Sequence, residues 1–164
     1  MECVCWDLKI REDHRLLDSQ REALEGFLRN PTGPKDRRVH LSKILDSMGS
    51  SLRLHLQREE EALFPAFDRL LGGSSGTIPL LRMQHNHLRD LLDRLGPLLE
   101  DRENTSWETI AEIGGTLAEL LKDHEEKESR FITDTLEHSL KPDELTRLAR
   151  QFQHAASCGC KEES

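Results

Sequence analysis

A chain of 164 residues is long enough to bury one hydrophobic core, so the sequence predicts a single domain over residues 1–164. The net charge of −8 at pH 7 argues against binding to the nucleic-acid backbone, which requires clustered lysine and arginine residues. No apolar run approaches the roughly 20 residues of a membrane-spanning helix, and no secretory signal pattern is seen. We therefore expect a cytoplasmic protein that binds neither nucleic acid nor membrane.

Helical periodicity, interrupted by loop-forming residues, divides the chain into four long segments and one short segment. The predicted helices span about residues 7–29, 36–71, 78–100, 106–139 and 143–156. Because the connections between the long helices are short, neighbouring helices are expected to run antiparallel. The sequence therefore predicts an all-α fold: an up-down-up-down four-helix bundle over about residues 8–140, with a short fifth helix at the C-terminus and cysteine-containing tails at 1–6 and 157–164.

Each long segment carries one histidine on the apolar stripe that is expected to face the core. The stripe of the first segment is the least regular, because Arg21 occupies a position where a core residue is expected. In the second and fourth segments a glutamate follows the histidine by four residues, which places both side chains on one helix face. The polar residues of the four stripes are His14, His55, Glu59, His85, His124 and Glu128.

The two inward glutamates, Glu59 and Glu128, indicate a shared metal site. Burying a lone carboxylate costs several kcal/mol unless it is paired or bound to a metal. No lysine or arginine lies beside these glutamates on the same stripes. We therefore expect the four histidines and two glutamates to converge on metal.

Imidazole nitrogens together with carboxylate oxygens suit iron, manganese or zinc better than calcium or magnesium. Two ions fit this ligand set better than one, since Glu59 and Glu128 come from different helices and would each bridge both ions. His14 and His55 would then complete the coordination of one ion, and His85 and His124 would complete the coordination of the other. With a water-derived oxo or hydroxo bridge, each ion would have about five ligands and an open position for a small molecule.

Three stretches carry a resemblance to a known family, the hemerythrin-type HHE cation-binding domains. They are HLQREEEALFPAF, similar to the family's H-x-x-x-E motif followed by LFP; QHNHLRDLL, similar to its third-helix motif; and LLKDHEEKESRFI, similar to its fourth. The resemblance covers about residues 8–140. It implies a non-haem di-iron centre in a four-helix bundle, with the six polar stripe residues as the iron ligands.

Two departures from the oxygen-carrying hemerythrins bear on function. Those proteins have a second third-helix histidine four residues from the first, where this chain has Arg89 after His85 and Leu81 before it. They also place an aspartate five residues after the fourth-helix histidine, where this chain has Ser129. A set of four histidines and two glutamates is more similar to iron-centre repair proteins induced by nitrosative stress and to the iron-sensing hemerythrin-like domain of an F-box protein.

The predicted function is that of a non-haem di-iron protein that binds dioxygen, nitric oxide or a related small oxidant. Its role would be oxygen or redox sensing, stress protection or iron handling, with a diatomic or peroxide ligand and a redox or iron-accepting protein as partners. Two iron ions are the predicted cofactor, ahead of manganese or zinc. Three alternatives stay open: a di-iron peroxidase or nitric oxide reductase, an oxygen carrier or store, and a purely structural bundle without metal.

Residues near these motifs are expected to be solvent-exposed. His87 lies two positions from His85 and so points away from the stripe. The acidic run after Arg58 is interpreted as a solvated face, with only Glu59 turned inward and Glu60 and Glu61 outward.

Two cysteine pairs lie near the termini: Cys3 with Cys5, and Cys158 with Cys160. An even number of antiparallel helices returns the chain to its starting end, so the pairs could meet and form a second redox or metal site. The interpretation that we favour is reduced thiols without a joint role, because terminal tails are commonly disordered.

Overall fold

The computed structural model describes residues 5–72, 76–139, 141, 143–144, 146–147 and 150, and every regular element among them is helical. Residues 143–144, 146–147 and 150 are helical and follow the last long helix. The helices α1 to α5 span Cys5–Arg29, Arg37–Arg58, Phe64–Leu70, Thr77–Glu100 and Trp107–Ser139, and a π-helical turn, Glu59–Leu63, joins α2 directly to α3. The predicted all-α fold with a C-terminal helix is therefore confirmed. The predicted extension of that helix to residue 156, and the cysteines Cys3, Cys158 and Cys160, lie outside the described residues.

The four long helical rods form a closed ring. α1 contacts α2 and α5, and α4 contacts the same two helices, while α3 continues the rod that α2 begins. Short connections at residues 30–36 and 101–106 make successive rods antiparallel. None of the helices in the described part of the chain is long and apolar enough to cross a membrane.

Two apolar layers fill the bundle, one on each side of its centre. The larger layer contains leucines from every rod, among them Leu17, Leu52 and Leu88, and it extends to Trp107. The smaller layer is built on α3 around Phe64 and Phe67. Between the layers lies the level of the polar stripe residues, so these side chains are enclosed along the bundle axis by hydrocarbon.

The second rod departs from the continuous helix predicted over residues 36–71. At its centre the Phe64 N–H bonds to the carbonyl of Glu59, five residues back, which is the hydrogen bond of a π turn. The turn ends two residues before Pro65, which has no N–H and whose ring clashes with the carbonyl four residues earlier in a regular α-helix. The wider turn accommodates the proline, and Leu63 at the end of the turn is buried, as are Phe64 and Phe67 beyond it.

Two local features explain how α5 begins and how it packs. The Ser106 side chain accepts the Thr109 N–H at 3.1 Å, so Ser106 is the N-cap of α5. A Cβ atom at residue 114 would lie 3.1 Å from the Leu28 side chain, closer than an ordinary contact. Gly114 therefore allows α1 and α5 to approach each other, and the helix continues through it.

A buried arginine joins α2 to the connection between α4 and α5. Arg38 donates to two main-chain carbonyls that the end of α4 leaves without helical partners and to two carbonyls of the following connection. Its acceptors are Leu98 at 2.8 Å, Leu99 at 3.1 Å, Asp101 at 3.3 Å, and Thr105.

Candidate metal centre

The structure brings all six polar stripe residues together at the centre of the bundle. Their nitrogen and oxygen atoms form two groups, and within each group the atoms lie no more than 4.8 Å apart. Glu59 belongs to both groups. The first group is His14, His55, Glu59 and Glu128; the second is Glu59, His85 and His124.

The centre is almost completely buried. The side chain of His14 is 13% exposed, whereas those of the other five residues are 1% exposed or less. His87 is exposed, as the sequence predicts. Solvent therefore approaches the cluster from the side of His14.

Glu59 lies between three imidazoles. Its Oε1 atom is 2.7 Å from Nε2 of His55, and its Oε2 atom is 2.9 Å from Nε2 of His85 and 3.6 Å from Nε2 of His124. None of these atoms makes a hydrogen bond within the described part of the chain, because the groups are not aligned as donor and acceptor. Two ligands at right angles, each about 2.1 Å from one ion, are about 3 Å apart, so the shorter contacts match a shared ion better than a shared proton.

Glu128 lies on the first group only. Its Oε2 atom is 2.9 Å from Nε2 of His14 and 3.8 Å from Nε2 of His55. The distance to Nε2 of His124 is 4.0 Å, and Glu128 is not part of the second group. The two carboxylates are thus not equivalent, whereas the sequence pattern predicts that both bridge.

The hydrogen bond at Nδ1 of His85 leaves its Nε2 atom facing Glu59. Its Nδ1 atom lies 2.8 Å from Glu60 Oε1 in a hydrogen bond, and an ionised carboxylate can only accept. Nδ1 therefore carries the hydrogen, and in the neutral ring Nε2 presents a lone pair towards Oε2 of Glu59 at 2.9 Å. Two lone pairs facing each other at that distance repel unless a proton or a metal ion lies between them, and an imidazole nitrogen with a carboxylate oxygen is a donor set that fits a bound metal.

Glu60 and Arg89 form a pair behind His85. Arg89 donates from Nη1 to Oε1 of Glu60 at 2.8 Å and from Nη2 to Oε2 at 2.9 Å. Burial alone would raise the pKa of Glu60, but the bonds from Arg89 and His85 outweigh burial and lower it. The expectation that Glu60 turns outward holds only in part: its side chain is 29% exposed, but the imidazole and the guanidinium hold its carboxylate against α4.

A second carboxylate and arginine pair, Asp13 with Arg58, lies behind His55. Arg58 donates to Oδ2 of Asp13 at 2.6 Å, and both side chains are buried. Burial raises the pKa of Asp13, but His55 and Arg58 outweigh it and lower the pKa to about 2. The same Oδ2 atom is 3.8 Å from Nδ1 of His55, which is too long for a hydrogen bond.

An open groove of about 640 Å³ between α1 and α5 leads to the first group. His14 and Glu125 line it, together with arginines that include Arg11, Arg15 and Arg130. Glu125 is 6% exposed, and its Oε1 atom has no partner among the described residues. Burial raises the pKa of Glu125 to about 7, so a carboxyl group close to half-protonation at neutral pH lies beside the exposed edge of the centre.

The electrostatics of the centre in the absence of metal are those of mutually stabilised opposite charges. Burial alone would lower the pKa of His55. The negative charge of Glu59 and of the other carboxylates near His55 outweighs burial and raises this pKa well above its ordinary value of 6.5. Burial likewise raises the pKa of Glu59, yet the neighbouring imidazoles hold it well below its usual range. The pKa of His14 is also raised, against the effect of burial, by its contact with Glu128.

Sequence reasoning missed Asp13, Arg58, Glu60, Arg89 and Glu125. Each of these residues lies one position, three positions or four positions along a helix from a predicted ligand, so proximity in sequence was the available signal. Charged residues next to a buried stripe usually face solvent, and only the helix packing shows which of them turn towards the cluster.

An antiparallel four-helix bundle that encloses histidines and carboxylates at a buried centre defines a class of helical cation-binding domains. The chain matches the profile of one family in that class, the hemerythrin HHE cation-binding domain, over residues 9–129 and again over residues 76–157. It belongs to that family, and a metal-binding domain is what the family implies. Comparison with curated proteins and with solved structures gave no significant match.

Proposed function

We propose that this protein is a non-haem di-iron protein that binds dioxygen, nitric oxide or a related small oxidant, in a role of redox sensing, stress protection or iron handling. His14, His55, Glu59 and Glu128 would hold one ion, and Glu59, His85 and His124 the other. Iron is favoured over calcium or magnesium because the donor set mixes imidazole nitrogen with carboxylate oxygen.

The observation that supports this proposal most strongly is the pair of short contacts at Glu59. Two imidazole Nε2 atoms lie 2.7 Å and 2.9 Å from its two oxygens without hydrogen-bond alignment. Because both carboxylate oxygens and both nitrogens are buried, the carboxylate needs a compensating positive charge, which metal ions between these atoms would supply.

The chain's own residues favour ligand binding at this centre. The second group has three protein side chains, which leaves coordination positions for a small molecule. The two apolar layers exclude bulk water along the bundle axis, while the groove at His14 admits small molecules from the side. A bound iron pair would supply reversible redox chemistry towards such a ligand.

Metal content tests this proposal. Protein purified after growth with added iron should contain about two iron ions per chain by elemental analysis, and a chelator should remove them together with the visible absorption of the iron. A content well below one ion per chain would contradict the proposal and favour a structural bundle. Zinc or manganese at the same stoichiometry would support the metal site but would contradict iron as the bound metal.

A di-iron peroxidase or nitric oxide reductase is the second candidate. It is favoured by the groove, which brings solvent to His14 and places the carboxyl group of Glu125 beside it. Many turnovers of hydrogen peroxide or nitric oxide per iron pair under reducing conditions would identify an enzyme. Stoichiometric binding without turnover would identify a sensor or store.

A further inference from the structure

We propose that Glu60 and Arg89 are a positioning pair that orients His85 as a metal ligand and so gives the His85 and His124 group a different metal affinity from the His14 and His55 group. This inference rests on the proposed di-iron function. It assigns a role to two residues outside the predicted ligand set.

Both nitrogens of His85 are engaged by neighbouring glutamates of the π turn. Glu60 accepts the Nδ1 hydrogen at 2.8 Å on one side, and Glu59 lies 2.9 Å from Nε2 on the other. The bond to Glu60 selects the tautomer in which Nε2 is free to bind metal, and a carboxylate acceptor increases the basicity of the ring. Glu60 therefore determines both the orientation of the His85 ring and the strength with which its Nε2 atom binds metal.

Arg89 holds Glu60 in the position that this bond requires. Its guanidinium makes two parallel bonds to the two oxygens of Glu60, a charge-assisted geometry that fixes the plane of the carboxylate. Arg89 follows His85 by four residues and lies on the same face of α4. Glu60 thus bridges two side chains of one helix and connects the π turn to α4.

The other buried histidines lack such support within the described part of the chain. Nδ1 of His124 has no hydrogen-bond partner, and Nδ1 of His55 is 3.8 Å from the nearest oxygen of Asp13. Because only His85 among these three is oriented by a direct bond, the two groups are electronically different. We expect the ion held by His85 to depend on Glu60 far more than the ion held by His55.

The test compares Glu60→Gln with Glu61→Gln in anaerobic titrations of the metal-free protein with Fe²⁺ and with Co²⁺. Glu61 is the matched control because it lies in the same turn, is exposed, and pairs with Gln57. Wild type and Glu61→Gln should show two binding steps. In Glu60→Gln one step should weaken about 10- to 100-fold, with a changed visible spectrum of the Co²⁺ bound in that step, while the other step is unchanged. Arg89→Met should weaken the same step.

The outcomes of these titrations separate the positioning role from the proposed di-iron function. Identical titrations and Co²⁺ spectra for Glu60→Gln and Glu61→Gln, with two ions in wild type, would overturn the positioning role. Fewer than one ion in wild type would instead reject the proposed di-iron function. If metal-free Glu60→Gln loses its helical circular dichroism, the Arg89→Lys variant is titrated in its place. Lysine keeps the positive charge but cannot make the two parallel hydrogen bonds of the guanidinium. Weakening of one step in Arg89→Lys supports the proposal, and an unchanged titration contradicts it.

Discussion

Glu59 and Glu128 differ in how they join the candidate ligands. It is the one carboxylate shared by both groups, whereas Glu128 belongs to the first group only. Removal of Glu59 would take one candidate ligand from each group, and removal of Glu128 would leave the second group intact. The two substitutions should therefore have different effects on metal content.

We predict that Glu59→Ala reduces the iron content below one ion per chain, while Glu128→Ala retains about one. Glu61→Ala is the control and should retain the wild-type content, because Glu61 is exposed. Iron per chain, measured after loading and removal of excess metal, checks the prediction. Equal iron in Glu59→Ala and Glu61→Ala would exclude Glu59 from the centre.

At the scale of the helices, Arg38 shows how one side chain ties several elements together. It projects from the first turns of α2, a segment on the far side of the larger apolar layer from the metal centre. Its guanidinium satisfies carbonyls at the C-terminal end of α4, where the helix dipole is negative. This contact stabilises the loop that carries the chain into α5.

Replacing Arg38 with Met should lower the free energy of unfolding by about 2 kcal/mol, because it leaves several carbonyls without their charged donor. Urea unfolding of the metal-free protein measures the loss. Arg53→Met is the control, since Arg53 forms an exposed ion pair with Asp93 at 2.5 Å, a kind of pair that contributes less than about 1 kcal/mol. The iron content of both variants should be that of the wild type, and a loss of iron in Arg38→Met would show that the two ends of the bundle are coupled.

At the scale of the whole molecule, we expect the centre to couple folding to both pH and metal. Without metal, the raised pKa values of His14 and His55 mean that these imidazoles hold protons more tightly in the folded than in the unfolded chain. Their contribution to stability is complete below the ordinary histidine value of 6.5 and is lost as the pH rises through the raised folded values. Glu59, with a lowered pKa, contributes above its ordinary value of 4.5 and loses that contribution as the pH falls.

The metal-free protein should therefore melt at a higher temperature at pH 6 than at pH 8. Metal binding displaces protons from the imidazoles, so the increase in melting temperature that metal causes should be larger at pH 8 than at pH 6. Scanning calorimetry of chelated and iron-loaded samples at pH 6, 7 and 8 measures both trends. A chelated protein that is more stable at pH 8 would show that the imidazoles are neutral in the metal-free core, and equal melting of chelated and loaded samples would show that no metal is bound.

The four-helix bundle could be predicted from the sequence because the features that determine it are local. Apolar residues recur at helical spacing, Ser106 caps α5, and short connections require antiparallel neighbours. The inward direction of His55, Glu59, His124 and Glu128 follows from the same periodicity. The π turn was not predicted, although Pro65 is a local signal for it, because the apolar stripe on both sides of the turn is also compatible with one continuous helix.

The sequence alone determined the helices, their order and the six polar residues of the core, since each depends on periodicity within one segment. Tertiary structure decided how those residues divide into two groups, because distances between rods depend on helix packing and on the π turn. It also decided that Glu60 and Arg89 support His85, that Asp13 pairs with Arg58, and that the centre opens towards solvent at His14. These contacts join residues that are distant along the chain, so the pattern within a single helix contains no information about them.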